Sequence, residues 1–181
     1  MLTITVPARE GFDERTETFI QTKEQVLTLE HSLVSISKWE SKWKKPFLSK
    51  KGKTRPETID YIKCMTLTQN VDPNVYYFLT ADNLKAIEEY VEDSMTATWF
   101  NDDDPNSNKS HEVITAEIIY YWMIAFNIPF ECQKWHLNRL LTLIRVCNIK
   151  NAPAKKMSKN DIYIRNRNLN AARRRALNSR G

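Results

Sequence analysis

Several side chains in this sequence could ligate a metal ion. Cys132 and His136 are four residues apart, a spacing that places two side chains on one face of a helix. The other residues that could converge with them are Cys64, Cys147, His31 and His111. However, the chain contains no C-x-x-C or H-x-x-x-H pair, and a cysteine beside a helical histidine is common in ordinary cores. The pattern favours reduced, mostly buried thiols, and we predict no metal and no cofactor.

Catalysis by a nucleophile or by paired carboxylates has little support in the sequence. The aspartates at 102–104 fall in a polar stretch typical of an exposed loop, where nothing would desolvate a carboxyl and raise its pKa into the range useful for acid or base catalysis. Only three glycines occur, so a phosphate-cradling loop cannot be assembled. We therefore predict that the protein is not an enzyme.

A cationic and aromatic cluster raises the possibility of nucleic-acid binding, because cations attract phosphate and aromatic rings can stack on bases. It combines the rings of Trp39, Trp43 and Phe47 with Lys38, Lys42, Lys44, Lys45, Lys50, Lys51, Lys53 and Arg55. The alternative interpretation starts from the four-residue spacing of the two tryptophans, which would turn their rings inward with the core face of a helix. The lysines would then extend around that face with their charges in water.

The positive charge of the chain is concentrated at one end. The formal net charge of +5 separates into about +9 from Lys150 onward, where ten Lys or Arg face only Asp161, and about −4 for the preceding residues. Such segregation is typical of a tail that contacts another macromolecule. We predict a folded domain over residues 1–149 and a basic linker with a tail helix over 150–181.

The first secondary structure predicted along the chain is a small sheet. Leu2, Ile4 and Val6 alternate with threonines, which predicts a strand ended by Pro7. Two more extended stretches are predicted at 18–20 and 26–29, and together the three would form a small antiparallel sheet.

Helices are predicted for most of the remaining chain. Start signals occur at Ser32, at Thr54 with Glu57 three residues later, at Thr80 and at Thr115. The apolar run 118–126 predicts a central buried helix, and 131–146 predicts a second helix packed against it as an antiparallel hairpin. The predicted fold class is α+β and predominantly α-helical: a small N-terminal antiparallel sheet, then a helical bundle, then a basic helical tail. No stretch is apolar for long enough to cross a membrane.

The tail helix is predicted over 161–178. Its large apolar residues are few and widely spaced, so the helix should be only marginally stable until it meets a partner. The residues predicted to contact that partner are Arg165, Arg167, Leu169, Arg173, Arg174, Arg175 and Leu177.

Several stretches of the sequence resemble tail assembly chaperones of long-tailed bacteriophages. The resemblance covers nearly the whole chain and includes LEHSL (29–33), SKWES (37–41), KPFL (45–48), YIKCM (61–65), WHLNRLLTLI (135–144), RRRALN (173–178) and the final Gly181. It contains no catalytic signature.

The resemblance implies a non-virion assembly factor in the host cytoplasm. Such a factor binds the tape measure protein, a long helical molecule prone to aggregation, and is displaced as tail tube subunits polymerise. In this family a programmed frameshift often produces a second, longer product. A chaperone of this kind would bind a long client through many copies, whose individually weak contacts add up. We also expect the copies to self-associate. Nucleic-acid binding by the basic tail, and a tail or neck component that stays in the virion, remain the alternatives.

Overall fold

The computed structural model describes residues 1–13, 17–100, 113–152 and 159–178. The chain forms two compact units, Met1–Asn148 and Ile149–Gly181. The predicted fold class is confirmed, since antiparallel strands at the N-terminus are followed by helices. Among the described residues, no helix is long and apolar enough to span a bilayer.

The N-terminal strands form one long antiparallel ribbon with a break in the middle. Strand β1 (Leu2–Val6) pairs with β4 (Gln25–Leu29), and β2 (Arg9–Asp13) pairs with β3 (Thr18–Thr22). Both pairs have the same register, so the pairing continues across Pro7 without a shift of either strand. Strand β2 was missed by the sequence analysis because its residues lack the apolar alternation on which that prediction depends.

Gly11 in β2 allows the ribbon to pack on a neighbouring segment. A Cβ atom at Gly11 would lie 2.9 Å from Phe78 Cε1, closer than two carbon atoms can approach without movement. We expect Gly11→Ala to lower the free energy of unfolding by about 1–3 kcal/mol, because the added methyl group overpacks this contact. Chemical denaturation measures the change. Gly52→Ala is the matched control, since its Cβ would meet nothing within 4 Å, and an equal loss in both variants would contradict the packing role.

Six α-helices and two 3₁₀ segments follow within the described residues. The α-helices are α1 (Leu33–Trp43), α2 (Arg55–Met65), α3 (Ala81–Glu92), α4 (Ala116–Ala125), α5 (Leu137–Asn151) and α6 (Lys159–Leu177), and the 3₁₀ segments are Pro73–Phe78 and Phe130–Lys134.

The predicted helix starts are confirmed. Ser32 accepts a hydrogen bond from the Ser35 amide at the start of α1, and Thr54 forms a capping box with Glu57 at the start of α2. Thr80 and Thr115 are the N-cap residues of α3 and α4. The caps at Ser32, Thr54 and Thr80 depend on residues three apart in the chain, which is why sequence alone identifies them, whereas the Thr115 side chain makes no capping bond.

The helix predicted at 131–146 is wrong at its start, because a tertiary backbone pairing interrupts it. Residue Trp135 is extended, His136 forms a β-bridge with Ser32, and the Leu137 amide donates to the His31 carbonyl at 2.8 Å. The chain therefore makes a 3₁₀ turn first, and the α-helix begins only at Leu137.

The prediction of a central buried helix is also corrected. Helix α4 buries Ala116, Ile119 and Met123 and packs closest on α1, not on α5 as an antiparallel hairpin. Its other side is open to solvent, with Tyr121 65% and Ile124 61% exposed. An apolar helix is thus covered on one side only.

The core of Met1–Asn148 lies between the first half of the ribbon and the helices that follow it. Its fully buried side chains include Val6, Leu27, Leu29, Leu33, Ile36, Ile62, Met65, Ile119, Leu137 and Leu140. One buried carboxylate, Glu40 of α1, accepts hydrogen bonds from the amides of Phe47 at 2.6 Å and Ala116 at 2.8 Å. It thereby ties α1 to the loop after it and to the first residue of α4.

Candidate partner-binding surfaces

All seven residues predicted to bind a partner lie on α6, a helix of 19 residues. Every residue of α6 is exposed, including Leu169 at 44% and Leu177 at 77%. The helix also exposes three apolar residues near its start, Ile162, Tyr163 and Ile164. Side chains of this kind gain stability only when a partner removes them from water.

The cations of α6 are spread around the helix, with six Lys or Arg against one acid. Helix geometry places Arg167 and Arg174 on one side, seven residues apart, and turns Leu169 away from them. Asp161 lies in the first turn, and Arg174 and Arg175 lie in the last, an arrangement that complements the helix dipole. The helix thus offers an arginine-bearing face with Arg167 and Arg174, and on another side a face that carries Ile162 and Leu169 with Arg165 between them.

The cationic and aromatic cluster of the sequence has its rings turned inward. Trp39 is 2% exposed and Phe47 7%, and the Trp39 indole donates to the Glu57 carbonyl oxygen at 2.9 Å. The Trp43 indole donates to Asp60 at 2.8 Å. The inward interpretation of the two tryptophans is therefore confirmed for Trp39, whereas Trp43 is only partly buried, and the buried faces of Trp39 and Phe47 are not available to stack on bases.

The lysines around these rings are partly neutralised. Lys45 pairs with Glu57 at 2.5 Å, and Lys42 pairs with Asp60. The Lys45 bond and the capping bonds from Thr54 lower the pKa of Glu57 to about 2, so that carboxylate stays charged. The Lys53 ammonium lies 3.9 Å from the centre of the Phe47 ring, and burial lowers the pKa of Lys53. Lys42, Lys45 and Lys53, three of the eight cations of the cluster, thus make local contacts within the folded unit.

A groove that the sequence analysis did not predict lies beside this cluster. It has a volume of about 790 Å³ and is lined by Lys42, Trp43, Arg55, Pro56, Ile59, Asp60, Lys63, Tyr76 and Tyr77. Lys63 lies over Tyr77, which is 66% exposed. Tyr77 lies in a 3₁₀ segment distant in sequence from the lysines, so no local pattern could have indicated this groove.

Two histidines form a buried polar contact in the core. Their rings are 5.0 Å apart, His31 Nδ1 is 2.6 Å from the Tyr61 hydroxyl, and His136 Nε2 is 2.9 Å from the Tyr90 carbonyl oxygen. Burial, followed by His136 and Lys53, lowers the pKa of His31 to about 3. His136 Nδ1 is buried without a hydrogen-bond partner in the described part of the chain. At neutral pH the His31 ring is therefore uncharged where it packs against His136 and Tyr61.

The cysteines are placed as ordinary core residues. Cys132 is buried, Cys64 and Cys147 are partly buried, and burial raises the pKa of Cys64 and of Cys132 above that of a free thiol. Among the residues described, no group of three or more His, Cys, Asp or Glu side chains is close enough to hold a metal ion. His111 and the aspartates at 102–104 lie outside the described residues.

A further apolar surface lies on α4 and the 3₁₀ segment after it. We call it the α4 strip and define it as Tyr120, Tyr121, Ile124 and Phe130. Ring centres of Tyr120 and Phe130 are 6.5 Å apart, and Phe130 is 52% exposed. Tyr120, Tyr121 and Ile124 fall in the helix predicted to be buried, and Phe130 lies outside both predicted helices, so the strip is visible only in the structure.

No protein-family model, curated protein or solved structure matches this chain.

Proposed function

We propose that this protein is a non-enzymatic tail assembly chaperone of a long-tailed bacteriophage, which binds the tape measure protein in the host cytoplasm and keeps it soluble. The observation that carries the proposal is α6, a 19-residue cationic helix with all of its residues exposed. A chaperone for a long helical client needs such a binding segment and a separate folded body. The resemblance of the sequence to this family supplies the identity of the client.

The arginine-bearing face of α6 is the part that we assign to the client. Arg167, Arg174 and Arg175 present planar guanidinium groups that can pair with carboxylates on a helix of opposite charge. Each exposed ion pair contributes little, but contacts repeated by many copies along one client add up. The client is then released without any covalent step.

Co-expression with the tape measure protein tests this assignment. We expect the protein to raise the soluble fraction of a tape measure fragment, and replacement of Arg167, Arg174 and Arg175 by Ala to weaken the binding of that fragment about tenfold. Alanine preserves helix propensity, so the change removes charge and leaves the helix intact.

The matched control removes three lysines from the loop after α1, through Lys44→Ala, Lys50→Ala and Lys51→Ala. This variant loses the same charge from an exposed part of the folded body, and we expect it to bind the client as the unchanged protein does. Equal losses in both variants would show that only total charge matters. An unchanged soluble fraction on addition of the protein would end the chaperone proposal.

Nucleic-acid binding is the second candidate, and the groove between Arg55, Lys63 and Tyr77 is the observation that favours it. An RNA or DNA ligand would bind with an affinity that falls steeply as salt is added. A gel-shift series from low to moderate salt distinguishes the two functions, since a client held partly by apolar contacts is less sensitive to salt. The third alternative, a virion component, predicts that the protein is found in purified particles.

A further inference from the structure

Helix α4 is exposed where its sequence calls for burial. Glu117 is its only charged residue, and a helix that is apolar on all sides is normally covered on all sides. In this structure α1 covers the side with Ala116, Ile119 and Met123, while the side with Tyr121 and Ile124 faces solvent. An exposed apolar surface of this kind is typical of a site that contacts another macromolecule.

The residues of the α4 strip form one continuous apolar surface. Tyr120 and Ile124 are four residues apart and hence neighbours on the helix, and Tyr120 contacts Phe130. The exposed charges nearest the strip are mainly negative, with Glu117 one turn before Tyr121 and Glu131 next to Phe130, against Lys134 at the end of the 3₁₀ segment. A matching partner should therefore present apolar side chains flanked by cations.

Helix α6 has these properties. Ile162 and Leu169 are 45% and 44% exposed and lie seven residues apart on one face, which continues into Ala172 and Ala176. Arg165 lies between Ile162 and Leu169 on this face, Arg173 follows Leu169 by one turn, and the helix has a net positive charge. An isolated helix with so little apolar surface is marginally stable, so it too gains from a partner.

We propose that the α4 strip of one copy binds the Ile162–Leu169 face of α6 from a second copy. Apolar contact supplies the attraction, and the glutamates at the border of the strip pair with the cations of α6. Because the two surfaces differ, each copy uses its α6 on one neighbour and its strip on another. Such head-to-tail contacts build rings or open chains.

The charges of the strip favour α6 over a second α4 as its occupant. Two α4 strips facing each other would bring together the Glu117 and Glu131 carboxylates of both copies, and like charges at an interface reduce affinity. Pairing with α6 replaces that repulsion by attraction. It also leaves the face with Arg167, Arg174 and Arg175 uncovered.

Sedimentation of the full-length chain over a range of concentrations tests the proposal. We expect the unchanged protein to form dimers and larger species, and Ile124→Glu and Leu169→Asp each to weaken self-association by on the order of tenfold or more. Leu67→Glu is the matched control, since Leu67 is 50% exposed and lies outside the strip, and we expect it to associate normally. Circular dichroism verifies that every variant folds.

A mixing experiment identifies the pairing directly. Ile124→Glu damages the strip but keeps α6, whereas Leu169→Asp damages α6 but keeps the strip. An equimolar mixture should therefore form dimers through one intact strip and one intact α6, at concentrations where each variant alone remains monomeric. A monomeric unchanged protein, a mixture that does not associate, or equal disruption by Leu67→Glu would each overturn the proposal.

This inference is separable from the proposed function. Loss of client binding in the variant of Arg167, Arg174 and Arg175 leaves the self-association interface intact. Loss of self-association in Ile124→Glu leaves every arginine of α6 in place. Failure of one proposal is therefore distinguishable from failure of the other.

Discussion

Replacement of Glu40 by Ala should lower the free energy of unfolding by about 3 kcal/mol, because two buried amide groups lose their acceptor together. The Glu40 carboxylate accepts from the Phe47 amide at 2.6 Å and from the Ala116 amide at 2.8 Å. Glu40 itself is 8% exposed, so water cannot readily replace it. The Ala116 amide belongs to the first residue of α4, where a negative charge also complements the helix dipole.

Chemical denaturation of Glu40→Ala measures this loss, and two further variants define its cause. Glu40→Gln keeps an acceptor oxygen but no charge, and we expect it to retain part of the stability. Glu92→Ala removes an exposed carboxylate from α3 and should change the free energy of unfolding by no more than about 0.5 kcal/mol. A loss below about 1 kcal/mol in Glu40→Ala would show that the two amides find other partners.

Acidification from pH 7 to pH 5 should lower the free energy of unfolding by about 2 kcal/mol through His31 alone. Burial holds the pKa of His31 at about 3 in the folded protein, so the ring stays uncharged there. In the unfolded chain the ring takes up a proton near pH 6.5. Below pH 6.5 the unfolded state therefore binds more protons than the folded state. The free energy of unfolding decreases as the pH is lowered, until the pH reaches the pKa of His31 in the folded protein.

Denaturation of the unchanged protein and of His31→Gln at both pH values checks this expectation. Glutamine can keep a hydrogen bond to Tyr61 but does not titrate, so the loss between pH 7 and pH 5 should shrink by about 2 kcal/mol. Glu57 has its pKa lowered to about 2 by Lys45 and Thr54, and its contribution is lost only below its ordinary pKa, outside this window. An identical pH dependence in the two proteins would exclude His31 as its source.

The His31 contact and Glu40 show how a polar core constrains the fold. The Tyr90 hydroxyl donates to the Glu30 carboxylate at 2.7 Å, and neighbouring His31 contacts both Tyr61 and His136. These side chains come from the ribbon end, α2, α3 and the start of α5. A buried polar group costs free energy unless it is satisfied, so such contacts specify which elements meet.

Elements whose signals are local could be predicted from the sequence. Ser32, Thr54 and Thr80 each cap a helix because their capping partners lie three residues away along the chain, and Thr115 occupies the N-cap position of α4. Alternation in residues 2–6 identified β1 for the same reason. Residues 159–177 also include few large apolar side chains, which predicts a helix that the folded domain does not bury. Every residue of α6 is exposed.

Which surfaces are covered depends on contacts between segments that are distant in the chain. A periodic pattern shows that a helix is apolar, but it does not show whether other elements of the chain cover that helix. Helix α4 is covered on one side only. The bond from Leu137 to the His31 carbonyl similarly overrides a helical pattern, because two segments about a hundred residues apart pair their backbones. The groove beside Tyr77 also forms between segments that are separate in the sequence. Local periodicity cannot encode a contact between distant segments, since it records the spacing of residues along one element and not the identity of that element's neighbour.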